Sequence, residues 1–139
     1  MVLEGKNQLI DWGVVHVKND KNERCIARIR QFMQRYLPDV VVTEHPDKSF
    51  HRSARIQRLL DGVRELANEM KCPYRGFLHA PIRKGSSLST STTKQEIAEA
   101  IAEKFPELAS RLPPPRKPWM SEDPRIAMFY AVAIALAYQ

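Results

Sequence analysis

Among the side chains of this sequence that could do chemistry, Glu44 has the most informative position, because it follows a run of strand-forming residues. Val40 to Thr43 stand between Pro38 and Pro46 and suit a strand covered on both faces of an α/β sheet. Ligands bind at the carboxyl ends of such strands, so Glu44 would lie where a site forms. The alternative is a solvated carboxylate at a strand end, and this segment alone leaves both interpretations open.

Basic side chains form a second group of candidate functional residues, near the starts of two predicted helices. Phosphate contact would explain both clusters, because helix N-termini attract anions and Arg and Lys neutralise phosphates. The alternatives are a solvated helix face partly paired with Asp61 and Glu65, and a plain flexible loop from Ser86 to Thr93. The candidate nucleic-acid-binding residues are Arg52, Arg55 and Arg58 at the first helix, and Arg83, Lys84 and Lys94 at the second.

The composition agrees with an anionic partner and with a reducing compartment. Lys and Arg number 22 against 16 Asp and Glu, a net charge of +6. Cys25 and Cys72 are too few for a disulfide framework, which favours the cytoplasm. The most apolar run, Ile126 to Tyr138, is shorter than the roughly 20 residues of a membrane-spanning helix. We therefore expect no membrane association.

Hydrophobic periodicity and turn residues predict one α/β domain over the 139 residues, with an antiparallel hairpin first and parallel strands after it. The last helix is apolar nearly all round and is expected to be the most buried. The predicted strands are Val2–Glu4, Gln8–Val17, Val40–Thr43 and Tyr74–His79. The predicted helices are Asn22–Leu37, Ser53–Lys71, Thr93–Phe105 and Arg125–Tyr138.

Local turn chemistry identifies a helix start, a connector and a second helix start. Thr93-Lys94-Gln95-Glu96 has the T-x-x-E form of a capping box. Leu112 to Trp119 contains four prolines, so it predicts a stiff extended connector, and its composition would also suit a proline-motif ligand. The connector leads into Glu122-Asp123-Pro124, which is typical of a helix N-terminus with proline at the first helical position.

The order of elements resembles that of the RuvC-like Holliday junction resolvases of the ribonuclease H-like superfamily. The likeness rests on Val40-Val-Val-Thr-Glu44, on the Thr93–Phe105 helix and on the final Glu122-Asp123-Pro-Arg…Ala-Val-Ala-Ile-Ala-Leu-Ala137. It covers nearly the whole chain and implies a ribonuclease H-like mixed sheet flanked by helices. It also implies an Mg²⁺- or Mn²⁺-dependent endonuclease, in which four carboxylates hold two ions across a DNA phosphodiester.

Carried onto this sequence, the resemblance assigns roles to three acids. Glu44 matches the family's second acid, at a strand end before a basic helix. Asp123, with Glu122 beside it, matches an acid at the start of the last helix. The resemblance thus implies Glu44 and Asp123 as catalytic residues and all three as metal ligands. Because Asp before Pro124 is also an ordinary N-cap, capping alone is an equal explanation for Asp123.

The sequence departs from the family pattern at three points. The hairpin looks like the family's second and third strands, so the first strand with its Asp is expected to be absent. Asp11 lies in the second strand of the hairpin and does not replace that acid. Aligning the Ala-rich last helix places Ala127 and Tyr130 where two family acids would stand.

Two main hypotheses follow. The first is a structure-specific DNA endonuclease acting on branched or duplex DNA, in an active or an inactive form. The second is a non-catalytic nucleic-acid-binding module that keeps the fold and the basic face. An unrelated small α/β interaction protein is a third. The resemblance further implies a homodimer, because a four-way junction offers two symmetric cuts.

Overall fold

The chain alternates short strands with amphipathic helices, in the order that its hydrophobic pattern predicts. A computed structural model describes residues 1–44, 53–77 and 93–139. They belong to two units, of which the first is Met1–Val14 with His79–Gln139 and the second is Val15–Leu78. The elements are β1 (Val2–Glu4), β2 (Gln8–Asp11), α1 (Lys21–Tyr36), β3 (Val41–Glu44), α2 (Ala54–Glu69), β4 (Tyr74–Phe77), α3 (Lys94–Lys104), α4 (Pro106–Ala109) and α5 (Ile126–Tyr138).

The first unit opens with the predicted antiparallel hairpin. Leu3 lies opposite Leu9, and the register shifts between Val2 and Leu3. Gly5 makes the tight turn possible, because its φ of 55° lies in the left-handed region that side chains disfavour. The side chain of Gln139, at the end of α5, donates a hydrogen bond to the carbonyl of Gly5. The hairpin turn is thereby tied to the last helix.

The core of the first unit lies between α3 and α5. Helix α5 is the most buried helix among the described residues, as expected from its apolar sequence. Its small Ala residues permit close packing, and the larger side chains fill the space against α3. The fully buried large side chains of this unit are Ile97, Phe105, Leu108, Phe129 and Val132, together with Pro113 of the connector.

The second unit is a parallel strand pair with two helices. Val41 of β3 lies opposite Tyr74 of β4, and Glu44 lies opposite Phe77. Helices α1 and α2 pack together through Met33, Leu66 and Ala67, all buried. Arg30 and Glu69 join the helices by a bidentate ion pair with N···O distances of 2.6 and 2.8 Å.

The predicted α/β order and the parallel strand pair are confirmed, with differences at the edges of elements. The prediction that β2 extends to Val17 is wrong. Its partner β1 has three residues, so the ladder ends at Asp11, and Val15 is 58% exposed. In the described part of the chain the hairpin and the parallel pair form separate two-stranded ladders. Every residue of β3 is half-buried, rather than covered on both faces.

The final helix and the helix before it also differ in detail from expectation. Pro124 lies in a turn, and α5 begins at Ile126 instead of Arg125. The short helix α4, which begins at Pro106, has too few residues to show a hydrophobic period and was not predicted. Within residues 1–44, 53–77 and 93–139, the helices are too short or too polar to cross a membrane.

Candidate functional site

Glu44 is the last residue of β3, at the carboxyl end of the parallel pair. Its side chain is half-buried. The pairing with Phe77 places the ends of β3 and β4 level with each other. This is the edge at which parallel sheets bind ligands, and the position agrees with the sequence-based prediction. The structure therefore presents one carboxylate at the expected end of a strand in the second unit.

Asp123 lies in the first unit, in the turn that precedes α5. Its Oδ1 accepts hydrogen bonds from the backbone N–H of Arg125 at 2.9 Å and from Nε of the same residue at 3.0 Å. Nη2 of Arg125 lies 2.7 Å from Oδ2. The Arg125 side chain, aided by its backbone N–H, lowers the pKa of Asp123 to about 2. The N-cap residue of α5 is Arg125 and no side chain caps it, so the predicted capping by Asp123 is wrong. Asp123 accepts its hydrogen bonds in the turn before the helix and is already paired with a cation.

Glu122 is also ion-paired, and its partner is a residue predicted to contact DNA. Lys94 Nζ lies 3.0 and 3.1 Å from the two carboxylate oxygens of Glu122. The same ammonium group lies 5.8 Å from the centroid of the Tyr130 ring. The structure therefore brings together a predicted metal ligand, a predicted phosphate contact and one of the positions where the family resemblance expects an acid.

Ala127 and Tyr130 occupy the beginning of α5, one helical turn apart. Ala127 is exposed, whereas Tyr130 is buried, with 7% exposure. The Lys94 ammonium against the Tyr130 ring is a cation–π contact, an attraction that an aromatic ring provides without a formal negative charge. This corner of the first unit therefore combines a cation, an aromatic ring and one carboxylate, and it differs from a cluster of acids.

A metal centre needs several oxygen ligands around one point. No group of three or more His, Cys, Asp and Glu side chains that could hold a metal ion occurs in residues 1–44, 53–77 and 93–139. Glu44 belongs to the second unit, and Glu122 and Asp123 belong to the first. The metal-binding roles of Glu44, Glu122 and Asp123 remain predictions.

Two of the predicted basic contacts lie in the first turns of α2. Arg55 and Arg58 are both exposed. The backbone carbonyl of Arg55 accepts a hydrogen bond from Asn22 Nδ2 at 3.0 Å. Arg58 Nε donates a hydrogen bond to the backbone carbonyl of Ala54 at 3.3 Å. Asp61 was predicted to pair with the basic residues at the start of α2. It pairs instead with Arg64, further along the same helix, at 2.6 Å. Arg52, Arg83 and Lys84 lie outside the described residues. The side chains of Arg55 and Arg58 are therefore accessible to solvent at the N-terminal end of α2.

The connector before α5 presents a residue that the sequence analysis did not single out. Trp119 is 78% exposed, and Lys117 Nζ lies 5.5 Å from its ring centroid. The signal in the sequence was an aromatic residue directly after Pro-Pro-Pro-Arg-Lys-Pro, where no periodic element can bury it. Such a residue must either pack on its own unit or remain at the surface, and it remains at the surface.

Comparisons of the whole fold identify solved structures of the same architecture. The Thermus thermophilus RuvC structure has a TM-score of 0.67 and 19% identity, covering 94% of this chain and 75% of that one. T. thermophilus RuvC in complex with a Holliday junction substrate has a TM-score of 0.61 and 19% identity, covering 90% and 72%. No protein-family model matches the sequence, and no curated protein matches it. The chain therefore has the RuvC-like, ribonuclease H-like mixed α/β fold.

Proposed function

We propose that this chain is a metal-dependent, structure-specific DNA endonuclease of the RuvC-like kind, acting on branched DNA. The observation that carries this proposal is Glu44 at the carboxyl end of a parallel strand, in a RuvC-like fold. Branched DNA is proposed because one structure of this architecture holds a Holliday junction substrate. A cytoplasmic location is part of the proposal, and Cys25 and Cys72 are free thiols.

Glu44 fits the role of a ligand for Mg²⁺ or Mn²⁺. A hard divalent cation prefers carboxylate oxygens, and a pair of such ions activates a water and stabilises the leaving oxygen of a phosphodiester. Glu122 and Asp123 do not fit that role as arranged, because Lys94 and Arg125 hold them at 3.0 and 2.7 Å. We infer that a complete site requires further carboxylates, including the acid that the family carries on its first strand.

The basic side chains are proposed to hold the DNA backbone. Arg55 and Arg58 lie exposed at the start of α2, where a phosphate meets both guanidinium groups and the end of the helix dipole. Lys94 has the corresponding position at the start of α3, where its ammonium group is also paired with Glu122. Arg52, Arg83 and Lys84 belong to the same proposal. Contacts of this kind fix the position of the duplex and are not expected to select a base sequence.

A non-catalytic DNA-binding module is the second candidate, and the first unit favours it. At the start of α5, Ala127 and Tyr130 replace the acids that the resemblance expects, and Lys94 lies against the Tyr130 ring. The positive charge of Lys94 at that point would repel a metal ion. On this second proposal the fold binds branched DNA without cleaving it.

Titration with Mn²⁺ tests the metal-binding role of Glu44. Paramagnetic Mn²⁺ should broaden the amide resonances of β3 near Glu44 in the wild-type protein, and Glu44→Gln should remove that broadening. Glu65→Gln is the matched control, since Glu65 lies exposed on α2 in the same unit and the substitution loses the same charge. Equal broadening in wild type and Glu44→Gln would rule out a metal site at this residue.

Incubation with a four-way junction and with a duplex of equal length separates the two candidates. Cleavage of the junction with Mn²⁺, lost in Glu44→Gln, supports the endonuclease. Salt-dependent binding without cleavage supports the binding module, provided that the natural chain with any strand encoded upstream is also inactive. Failure to bind either DNA at low salt would contradict both proposals. Sedimentation equilibrium then checks the proposed homodimer.

A further inference from the structure

The connector between α4 and α5 exposes the indole side chain of Trp119 to solvent. Trp119 exposes 78% of its surface, and its neighbour Met120 exposes 51%. Tryptophan is highly buried on average, because its ring removes a large apolar area from water when it packs. An exposed tryptophan next to an exposed methionine is consequently a candidate contact surface.

The segment that carries Trp119 is ordered by its own turn. Met120 N–H donates to Lys117 O at 3.0 Å, which closes a four-residue turn with Pro118 at its second position. Proline suits that position because its ring holds φ near the value that the turn requires. Trp119 is therefore the third residue of a closed turn, and its backbone is restricted before any partner binds.

Both ends of the connector are anchored within the first unit. Upstream, Pro113 is fully buried and its carbonyl accepts a hydrogen bond from Gln95 Nε2 at 3.2 Å. Downstream, Glu122 pairs with Lys94 of α3, and Asp123 pairs with Arg125. A side chain presented on a segment fixed at both ends loses little conformational freedom on binding.

The charges around the indole favour an anionic partner. Arg116 and Lys117 are exposed directly before Trp119, and Lys117 Nζ lies 5.5 Å from the ring centroid. The acids that follow, Glu122 and Asp123, are each engaged by a cation of their own unit. Exposed aromatic rings combined with Lys and Arg are the arrangement by which proteins hold unpaired nucleic-acid bases and the adjoining phosphates.

We propose that the turn 117–120 stacks Trp119 on an unpaired DNA base, while Arg116 and Lys117 contact the flanking phosphates. This inference rests on the proposed DNA binding and deepens it, because it names the unstacked base at a branch or gap as the recognised element. A domain that binds proline motifs is the other occupant that this connector would suit. The cation beside the ring and the net charge of +6 favour DNA.

Intrinsic fluorescence tests the stacking directly. Trp12→Phe leaves Trp119 as the sole tryptophan, because the chain has two. Titration with a duplex that carries three unpaired nucleotides should quench its emission, whereas the fully paired duplex should leave the emission nearly unchanged. If Trp12→Phe does not fold, the difference between wild-type and Trp119→Phe emission gives the same information.

Affinity measurements on variants provide the second readout. Trp119→Leu should weaken binding to the unpaired-base duplex by roughly 10-fold, the loss expected for one base–aromatic stack, and leave the paired duplex unaffected. Trp119→Phe should retain most of the affinity. Lys117→Gln should weaken both duplexes alike and lower the salt dependence by about one phosphate contact. Thermal melting checks that each variant folds.

Each outcome bears on a different statement. Wild-type binding to both duplexes, with Trp119→Leu affecting neither or affecting both equally, would overturn the stacking and leave the proposed DNA binding intact. Emission that responds to a proline-binding domain and to neither duplex would also overturn it. No binding to either duplex or to the four-way junction at low salt would overturn both proposals.

Discussion

Asp123 shows how a local turn can take the place of an expected helix cap. Its position before Pro124 predicted a helix cap, and this prediction is wrong, because the N-cap residue of α5 is Arg125 and no side chain caps it. The Asp123 side chain instead accepts the Arg125 backbone N–H at 2.9 Å, within the turn that precedes the helix. Its proposed second role, as a metal ligand, competes with the Arg125 guanidinium at 2.7 Å. The turn itself is formed by neighbours in sequence. The partner of the carboxylate depends on the side-chain direction of Arg125, which the pattern of residue types does not specify.

The Asp123–Arg125 pair predicts an unusual titration. The Arg125 side chain and N–H stabilise the ionised carboxylate, so the pKa of Asp123 falls from 3.8 to about 2. Because the folded-state pKa is lowered, the contribution to stability is complete above 3.8 and is lost as the pH falls through about 2. Carboxyl ¹³C NMR should therefore show a midpoint near 2 for Asp123.

Substitution of the guanidinium gives the matched comparison for this titration. Arg125→Gln should raise the Asp123 midpoint toward 3.8, since the principal donor is removed. Arg116→Gln loses the same charge from the connector and should leave the midpoint near 2. A low midpoint that survives Arg125→Gln would show that another group stabilises the carboxylate.

At the scale of elements, the start of α3 was predictable, because its capping code is local, whereas the start of α5 was not. The capping box at Thr93 was predicted from four residues and is confirmed in both directions, with Thr93 Oγ1 accepting the Glu96 N–H at 3.2 Å and the Glu96 carboxylate accepting the Thr93 N–H. The extent of β2 was not predictable in the same way. A strand ends where its partner ends, and the length of β1 is a property of another segment.

The capping box predicts a measurable loss of stability. Thr93→Ala removes the acceptor for the Glu96 N–H and should lower the free energy of unfolding by about 1 kcal/mol. Thr93→Ser keeps the hydroxyl and should lose much less. Urea denaturation followed by circular dichroism measures the difference.

Ser53 supplies the control cap on another helix. Its Oγ accepts the Ile56 N–H at 3.5 Å, a longer bond than that of Thr93, and no reciprocal bond accompanies it. Ser53→Ala should therefore cost less than Thr93→Ala. Equal losses for the two substitutions would mean that the shorter Thr93 bond stabilises α3 no more than the longer Ser53 bond stabilises α2.

At the scale of the whole molecule, the order of elements could be predicted, because each element carries its own hydrophobic period and strand–helix alternation restricts the topology. The RuvC-like fold was expected only from the resemblance of that order to a known family. The candidate site could be predicted only in part. The place of Glu44 follows from its strand, whereas the pairing of Glu122 with Lys94 joins residues that are 28 positions apart. Spacing alone does not predict such long-range contacts. That the chain is a single domain remains a prediction.

The charge of the whole chain leads to a prediction about salt. With a net charge of +6, DNA affinity should fall steeply as salt rises, because each phosphate contact releases a counterion. A plot of log affinity against log salt should have a slope of about −0.9 for each contact. Fluorescence anisotropy with a labelled four-way junction measures this slope.

Matched double substitutions show whether net charge or the start of α2 determines that slope. Arg55→Gln with Arg58→Gln removes two exposed cations and should reduce the slope by about two contacts. Arg30→Gln with Arg64→Gln removes the same charge from residues already paired with Glu69 and Asp61, and it should reduce the slope less. If both pairs reduce it equally, the chain binds DNA through its overall charge and the start of α2 is not the contact surface.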